Sequence, residues 1–272
     1  MTEMEYNAAA GIRRSDLWKM EESPEKFLYS LSNPEEKTPA LIFGSACHKM
    51  VLESADFGNE YCVAPDIDRR TKEGKAQWSA FLESNPGKTV ISAADAEIMR
   101  EMEEAIERCD LAEDLLHGDG QTEVPMFWTD PDTGEKCKCK CDRLVCRDGK
   151  LYVVDYKTCQ HADTGRFNAE IWKLGYHFQA GMYTEGVKQV LTQNEAPEEV
   201  GFIFVAQEKK APYAVNVIEF GDDLIKIGAA KFHELLERYH ECNEVGLWPG
   251  YVDDIPNEAT LPGWWSLEEE EC

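Results

Sequence analysis

Residues 136–158 read KCKCKCDRLVCRDGKLYVVDYKT, and their pattern indicates how the central strands are arranged. The pair Asp148-Gly149 within it indicates a two-residue β-hairpin, because Asp-Gly supplies the positive φ angles of a type I′ turn. The register of that hairpin places Asp142 directly across from Asp155 on one face of the sheet, since side chains alternate between faces with a period of two. The stretch therefore predicts two antiparallel strands that bring two carboxylates together.

Facing carboxylates of this kind need a counter-charge. Directly opposed side chains have Cβ atoms about 4.5–5.5 Å apart, and like charges there are destabilising. A divalent cation between Asp142 and Asp155 would offset the repulsion, and oxygen ligands suit Mg²⁺, for which Mn²⁺ can substitute. Lys157 projects from the same face two residues later. Two acids, a cation and a lysine are what metal-assisted phosphodiester hydrolysis requires.

An amphipathic hairpin with solvated charges is the alternative interpretation of the same spacing. The three cysteines bear on the choice: Cys137, Cys139 and Cys141 alternate away from the aspartates, onto a face where small apolar thiols suit a core. A Cys-x-Cys-x-Cys run is not the spacing of structural zinc. One buried face opposite one charged face favours a site, although a solvated face would show the same asymmetry.

The remaining sequence predicts an α/β (α+β) class, a central mixed β-sheet flanked by helices with an N-terminal helical region. Hydrophobic periodicity indicates strands at 121–128, 201–207 and 214–220, and helices at 41–53, 93–116, 167–191 and 222–245. We expect one domain over residues 1–262, mainly helical over 10–117 and with the catalytic sheet and helices over 118–245, followed by an acidic tail at 263–272.

Composition narrows the class of function. The formal net charge of −25 argues against a protein whose whole surface binds nucleic acid, because such a surface is basic. Screening confines surface fields to about 8–10 Å, so a local basic strip can still face DNA. The absence of a long apolar run or an apolar N-terminal segment predicts a cytoplasmic protein with no membrane contact. The ten cysteines are then expected to be reduced thiols. The sequence contains no glycine-rich phosphate-binding loop, so we do not expect the protein to use ATP.

The most basic segment of the chain, DIDRRTKEGKAQW at 66–78, is a candidate DNA contact. Such a cluster is unusual in an acidic chain and suits phosphate binding, although a solvated loop is the alternative. Its cationic side chains are those of Arg69, Arg70, Lys72 and Lys75. Lys140 is a further candidate, because it shares the face of the aspartates.

One face of the helix expected over 167–191 carries three polar residues. Tyr176, Gln179 and Tyr183 fall at i, i+3 and i+7. Helix packing alone would explain the pattern. The functional interpretation is phosphate or DNA contact and ordering of Lys157. The backbone carbonyl of Tyr156 is a candidate metal ligand, because this residue lies between two site residues while its side chain points to the core.

These residues resemble a known family. Asp142, followed by the Asp-Tyr-Lys triplet at 155–157 at the end of an apolar strand, resembles the PD-(D/E)xK nuclease signature. A lone histidine on an apolar helix is usually a core residue, but His48 in GSACHKMVLE resembles the N-terminal histidine of the RecB-like exonuclease branch. Glu123 in TEVPMFW resembles the acidic residue on the preceding strand, for which a buried salt bridge is the alternative.

The helix motif extends the resemblance. Gln179 and Tyr183 in YHFQAGMY resemble the Gln-x-x-x-Tyr motif of the same branch. The surrounding words, among them TPALIFGSACHKMVLE, FWTDPDTGEKCKCKCD and VVDYKT, are most similar to the nuclease domains of RecE-type exonucleases, also called exonuclease VIII. The resemblance covers about residues 10–265, and no metal-binding position departs from the pattern.

The resemblance implies an ATP-independent exonuclease that degrades linear double-stranded DNA 5′→3′. It would leave 3′ single-stranded tails for a strand-annealing protein of the RecT type, in the cytoplasm of a bacterial or phage-infected cell. Family members form rings around DNA, so a homo-oligomer, a toroidal tetramer or trimer, is expected. The implied metal site consists of His48, Asp142, Asp155 and Tyr156, and the implied catalytic set consists of Asp142, Asp155, Lys157, Glu123, Gln179 and Tyr183.

Two alternatives stay open from the sequence. One is a related nuclease with single-strand or structure-specific activity. The other is a non-catalytic recombination protein that binds DNA ends. A broken Asp…Asp-x-Lys set would mark the second alternative, and in this sequence the set is whole.

Overall fold

The N-terminal part of the molecule is mainly helical, as the sequence predicts. A computed structural model describes residues 1, 3–34, 36, 38–191, 199–251, 256, 258 and 259, so the predicted acidic tail at 263–272 lies outside the described residues. The helices of this part are α1 (Glu3–Ala8), α2 (Arg14–Leu17), α3 (Pro24–Ser32), α4 (Pro39–Leu52), α5 (Ser54–Glu60), α6 (Lys72–Ser84), α7 (Ala93–Glu107) and α8 (Asp110–His117). A 3-10 turn at Trp18–Glu21 joins α2 to α3.

Local capping chemistry sets several of these helix starts. Ser23 caps α3 through its side chain, with Pro24 at the first helical position, as the Ser-Pro pair predicts. Thr38 caps α4 and Thr71 caps α6 in the same way. Two short strands, β1 (Tyr61–Val63) and β2 (Thr89–Ile91), pair in parallel beside these helices. They were not predicted, because three residues are too few to show a period of two.

A five-stranded mixed sheet forms the centre of the fold, and this prediction is confirmed. Its strands are β3 (Gln121–Thr129), β4 (Lys136–Arg147), β5 (Lys150–Cys159), β6 (Val200–Glu208) and β7 (Val215–Glu219), which lie side by side in sequence order. Strands β5 and β6 are parallel, and the other neighbours are antiparallel.

Helices cover both faces of the sheet. The later helices are α9 (Thr164–Lys173), α10 (Tyr176–Leu191) and α11 (Asp222–Val245). These three pack on one face in a core that includes Phe178, Phe204 and Phe232. The helices α4, α7 and α8 pack on the other face around Val154 and Tyr156. None of the described helices is both long and apolar enough to cross a membrane.

Two of the predicted helices are each divided in the structure. The helix expected over 93–116 breaks at Arg108–Cys109, between α7 and α8. The helix expected over 167–191 breaks at Gly175, whose φ of 65° lies in the left-handed region that favours glycine. A Cβ at Gly175 would lie 2.6 Å from the ring of Trp18, so the break also allows close packing. Periodicity alone does not reveal such breaks, because the apolar pattern continues through them.

The predicted hairpin is present. Asp148 and Gly149 have φ angles of 52° and 80°, as a type I′ turn requires. Arg147 pairs with Lys150, and the predicted register continues from there through the next pairs. The β4–β5 ladder ends at Arg143–Val154. The hairpin is therefore correctly predicted as far as the point where the strands separate.

The strands separate one position before the predicted carboxylate pair. The backbone amide of Tyr156 donates to the Asp142 side chain, with N and Oδ2 2.9 Å apart, where a regular ladder would supply a backbone acceptor. The predicted cross-strand pair of Asp142 with Asp155 is consequently not part of the ladder, which corrects the sequence interpretation. The carboxylate of Asp142 lies in the opening between the two strands.

Side-chain alternation also fails at this point. The cysteines of the Cys-x-Cys-x-Cys run are buried, as predicted, in the layer of α10 and α11, and Leu144 lies in the same layer only three residues after Cys141. Asp155 contacts Gln179 of that same layer, so the predicted separation of the cysteine face from both aspartates is wrong for Asp155. On the neighbouring strand, Glu123 has a φ of 53°, which is uncommon for a residue other than glycine. Because of these two irregularities, the side chains of Glu123 and Asp142 do not point in the directions that strict alternation predicts.

Helices α10 and α11 pack closely against each other on one face of the sheet. A Cβ at Gly228 would lie 1.8 Å from the carbonyl oxygen of His177, and one at Gly181 would lie 2.1 Å from the Ala229 nitrogen. Both positions bring backbone against backbone, so neither helix has room for a methyl group.

We expect Gly228→Ala to lower the free energy of unfolding by about 2–3 kcal/mol, because the two helices must move apart. Equilibrium urea unfolding followed by circular dichroism measures the change. Gly58→Ala in α5 is the matched control, since nothing lies within 4 Å of a Cβ there, and we expect no loss of stability. Wild-type stability in Gly228→Ala would contradict the described helix contact.

Candidate active site

The opening between β4 and β5 lies at a cleft of about 1010 Å³. Helix α4 contributes Gly44, Ser45 and His48 to its lining, and β5 contributes Lys157 and Thr158. The carboxylates next to the opening, those of Asp142 and Asp155, are buried. The cleft therefore gives an extended ligand access to the edge of the strand opening.

Three residues from three different elements meet beside the opening. His48, Glu123 and Asp142 each offer a ligand atom, and these atoms all lie within 4.8 Å of one another. The Nε2 atom of His48 is 2.8 Å from Asp142 Oδ2, and its Nδ1 atom is 3.7 Å from Glu123 Oε1. The fold thus brings α4, β3 and β4 together at one point.

This group fits a divalent cation. Glu123 Oε1 is buried and accepts no hydrogen bond in the described part of the chain. Leaving a buried charged acceptor without a partner is costly, so the oxygen is suited to an additional ligand. Two carboxylates and an imidazole are donors that Mg²⁺ or Mn²⁺ can use.

The charges of the site are strongly coupled. Burial by itself lowers the pKa of His48, but the carboxylates of Asp142 and Glu123 outweigh burial and raise this pKa to about 9. Burial raises the pKa of Asp142, yet the charges of His48 and Lys157 hold it below its usual value. Without a bound cation, the imidazolium of His48 therefore neutralises part of the negative charge.

Asp155 has different partners from Asp142. Its Oδ2 atom is 2.7 Å from the Nζ atom of Lys157, and its Oδ1 atom accepts a hydrogen bond from Gln179 Nε2. Burial and the charge of Asp142 raise the pKa of Asp155 to about 6. Asp155 does not belong to the group of His48, Glu123 and Asp142, so its binding to the same cation stays a prediction.

Lys157 lies among acidic and aromatic groups. Burial lowers its pKa, but the carboxylates of Asp155 and Asp142 outweigh burial and raise it. Its Nζ atom is 5.6 Å from the ring centre of Tyr176 and 5.7 Å from that of Phe204, which is the range of cation–π contact. These neighbours keep the Lys157 ammonium charged where it lines the cleft.

Tyr156 is held in place by its side-chain hydroxyl and by its backbone amide. Its side chain is buried, as predicted, and its hydroxyl donates to Gln207 Oε1 at 2.6 Å. The amide and carbonyl of one strand residue point to the same neighbouring strand. Since the Tyr156 amide donates to Asp142, its carbonyl also faces the opening. Coordination of a cation by that carbonyl stays a prediction.

The predicted helix face is next to the site. Gln179 contacts Asp155 directly, and Tyr176 lies beside Lys157. Tyr183 packs against Phe202, with ring centres 6.5 Å apart, and burial raises the pKa of its hydroxyl well above its usual value. The three residues thus line the α10 side of Asp155 and Lys157. Their contact with phosphate stays a prediction.

The predicted DNA-binding residues occupy different places. Arg69 stacks on Trp78, with its guanidinium carbon 4.3 Å from the ring centre, and Arg70 is 2.9 Å from Asp68. The structure does not bring these arginines, or Lys72 and Lys75, into the lining of the cleft. Their contact with DNA stays a prediction.

Lys140 does line the cleft, but its ammonium is already paired. It forms an ion pair with Glu123, and its Nζ atom is 2.6 Å from Glu3 of helix α1. A phosphate that binds Lys140, as the sequence predicts, would compete with the Glu3 carboxylate for this ammonium.

Two cationic residues near the site were not predicted. Lys209 follows β6 and lines the cleft; the Lys-Lys pair at the end of an apolar strand was a signal for it. Arg14 donates to the Leu174 carbonyl and lies close enough to the charge of Asp155 to be affected by it, while its Nε atom is buried with no hydrogen-bond partner among the described residues. No sequence signal connects Arg14 to the site, because only the fold brings it there.

Metal affinity is expected to rise with pH. A cation that binds His48 must displace its proton, so the association constant should increase about tenfold per pH unit until the pH reaches the raised pKa. Because that pKa is about 9, the increase should continue through neutral pH and flatten above 9. Calorimetric titration with Mn²⁺ at several pH values measures it. His48→Ala should bind Mn²⁺ more weakly and with little pH dependence; a pH-independent affinity in the wild-type protein would contradict the assignment of His48.

Comparisons with known proteins agree with this architecture. The sequence model of a family described as "PDDEXK-like domain of unknown function (DUF3799)" matches residues 14–257. Among solved structures, a crystal structure of a protein from Eubacterium rectale named "Putative exonuclease" is similar, with a TM-score of 0.59 and 18% sequence identity. The similarity covers 91% of this chain and 87% of that chain, and at this identity it concerns the fold. A comparison with curated proteins gives no match.

Proposed function

The chain belongs to the PDDEXK-like family DUF3799, and on that premise we propose that it is a divalent-metal-dependent nuclease that hydrolyses DNA phosphodiester bonds. The observation that carries the proposal is the group His48, Glu123 and Asp142, whose ligand atoms lie within 4.8 Å of one another, beside Lys157. An intact Asp…Asp-x-Lys set with a buried Glu123 oxygen that accepts no hydrogen bond among the described residues is difficult to explain as a structural salt bridge alone.

Each residue of the site would have a separate role in hydrolysis. His48, Glu123 and Asp142 would hold the cation. When bound, a divalent cation supplies polarisation of the phosphodiester and activation of the attacking water. Lys157 is positioned to donate to a phosphate oxygen and to stabilise the charge that develops there. Asp155 orients the Lys157 ammonium and keeps it charged, and Gln179 in turn fixes Asp155 through its hydrogen bond.

The finer specificity of the proposal rests on the resemblance to RecE-type exonucleases. The substrate would be the ends of linear double-stranded DNA, degraded 5′→3′ with Mg²⁺ and without ATP. The products would be 5′-mononucleotides and a 3′ single-stranded tail for an annealing protein of the RecT type. A ring-shaped homo-oligomer, a trimer or tetramer, would suit a chain of net charge −25, because a ring can direct its basic residues inward.

Digestion of end-labelled DNA tests this proposal. A linear duplex labelled at the 5′ ends, the same duplex labelled at the 3′ ends and a closed circle are each incubated with the protein and Mg²⁺, without ATP. We expect early release of the 5′ label as mononucleotides, late release of the 3′ label and an intact circle. Early release of the 3′ label or cleavage of the circle would indicate a related nuclease of other specificity, and binding of ends without cleavage would indicate a non-catalytic protein.

A further inference from the structure

Among the described lysines that line the cleft, one differs from the rest in its partners. Lys49, Lys140 and Lys157 each form an ion pair with one or two carboxylates. The ammonium of Lys209 forms no ion pair or hydrogen bond with any residue that the structure describes. Its positive charge is therefore available to an anionic ligand, whereas the charges of the other three are already neutralised.

The acidic lining makes this difference important. The described carboxylates that line the cleft are those of Glu3, Glu5, Glu53, Asp56, Glu60 and Glu123. These charges repel a phosphate backbone wherever no cation offsets them. A nucleic acid strand that reaches the site is consequently favoured along the part of the cleft where an unpaired ammonium lies.

Lys209 lies beyond Lys157 toward the carboxyl ends of β5 and β6. Lys157 pairs with Ala206 across the parallel strands β5 and β6, so Lys209 lies three residues further toward their carboxyl ends. At about 3.3 Å per residue, the two lysines are separated by about 10 Å along the strand direction. The Lys209 amide donates to the Cys159 carbonyl at 3.3 Å, which fixes the base of the side chain.

This edge of the sheet is where ligands commonly bind. In α/β proteins, the crevice outside the carboxyl ends of parallel strands is the usual ligand site. Lys157, Thr158 and Lys209 all contribute to the lining of the cleft at this end of β5 and β6. A strand whose scissile phosphate lies at Lys157 can therefore place a neighbouring phosphate at Lys209.

We propose that Lys209 binds a backbone phosphate of the DNA strand that is being cut, next to the scissile phosphate. The strand then passes from Lys157 over the carboxyl ends of β5 and β6, and not over β3, where Lys140 is paired with Glu3 and Glu123. This inference rests on the proposed function, and it adds a path for the substrate and a residue that holds it there.

The test compares two adjacent lysines. Lys210 is the matched control for Lys209: it has the same side chain, is exposed, and does not line the cleft. Binding of a short blunt-ended linear DNA duplex to Lys209→Ala, Lys209→Arg, Lys210→Ala and the wild-type protein is measured by fluorescence anisotropy over a series of salt concentrations, with Ca²⁺ in place of Mg²⁺. Steady-state cleavage with Mg²⁺ gives kcat and KM for the same duplex.

A single lost phosphate contact has a defined signature. In Lys209→Ala, the slope of log K against log salt concentration should become shallower by about 0.9, and affinity at low salt should fall about tenfold. KM should rise while kcat stays close to its wild-type value. Lys209→Arg should keep the wild-type slope because it keeps the charge, and Lys210→Ala should match the wild-type protein throughout.

The outcomes separate this inference from the function on which it rests. A wild-type slope and KM in Lys209→Ala, or equal effects in Lys209→Ala and Lys210→Ala, would overturn the inference while the nuclease activity of the wild-type protein stands. If the wild-type protein neither binds nor cleaves the duplex, the proposed function and the inference are both wrong. Circular dichroism of each variant verifies that it is folded, and Lys209→Gln, which also removes the charge, replaces the alanine variant if the latter is not folded.

Discussion

Replacing Asp142 with Asn is expected to lower the rate of DNA cleavage about 10³-fold, because a cation contributes several kcal/mol of charge stabilisation and each 1.36 kcal/mol is a factor of ten. Asp142 contacts His48 and belongs to the group that fits a cation. Asn keeps an oxygen that can accept the Tyr156 amide but removes the negative charge. The variant should therefore fold normally and lose metal affinity and cleavage together.

Single-turnover cleavage of a linear duplex and calorimetric titration with Mn²⁺ measure both consequences for Asp142→Asn. The matched control is Asp114→Asn in α8, which removes an exposed carboxylate that pairs with Arg147 and lies outside the cleft. We expect wild-type cleavage and metal binding in the control. Cleavage by Asp142→Asn within tenfold of the wild-type rate would remove Asp142 from the site.

Replacing Lys157 with Met is expected to lower the cleavage rate about 10²–10³-fold, the usual cost of losing one donor to a developing charge. The structure distinguishes this loss from that of Asp142, because Lys157 is not one of the grouped metal ligands. Metal affinity should therefore change little. The buried Asp155 loses the ammonium that lowers its pKa, so its pKa should rise further above about 6.

The matched control for Lys157→Met is Lys150→Met, at the opposite end of the same strand. Lys150 lies 4.0 Å from Glu199 and 3.9 Å from Asp222, and it does not line the cleft. Cleavage rates and Mn²⁺ affinities of both variants are compared with the wild-type values. A Lys157→Met variant that cleaves at the wild-type rate, or one that loses its metal affinity as Asp142→Asn should, would contradict the role assigned to Lys157.

The local signals in the sequence were sufficient to predict the β4–β5 hairpin that carries Asp142, Asp155 and Lys157. Asp148-Gly149 specified the turn, and the turn specified the register of β4 and β5 as far as Arg143–Val154. The burial of the cysteine face also follows from alternation. These features depend on neighbours within one hairpin, which is why one sequence is enough to predict them.

The arrangement of the carboxylates could not be predicted in the same way. Alternation predicts Asp142 directly across from Asp155, but the Asp142 side chain replaces a backbone acceptor for Tyr156 and the ladder ends. The left-handed backbone at Glu123 is a second local departure that residue type does not indicate. Both departures are stabilised by contacts between elements, and they determine which groups can share a cation.

Residues that reach the site only through the fold were the most difficult to predict. His48 was identified by resemblance, since a histidine on an apolar helix gives no indication of its own. Arg14 and Lys209 are far apart in the sequence, and their positions near the charge of Asp155 and at the cleft depend on the packing of α2 and on the end of β6. For Arg14 the spacing in the sequence carries no information about this approach, whereas for Lys209 the Lys-Lys pair after an apolar strand was a signal.

We propose that His48, Glu123 and Asp142 hold the cation on which DNA cleavage depends. The most direct measurement follows Mn²⁺ binding and nucleotide release from linear duplex DNA in the same titration, for the wild-type protein and for Glu123→Gln. In the wild-type protein, cleavage should be absent in chelator and appear over the concentration range in which Mn²⁺ binds. In Glu123→Gln, both curves should shift together to higher Mn²⁺ concentration. Cleavage in the presence of chelator, or a Glu123→Gln variant whose Mn²⁺ affinity equals that of the wild-type protein, would contradict the claim.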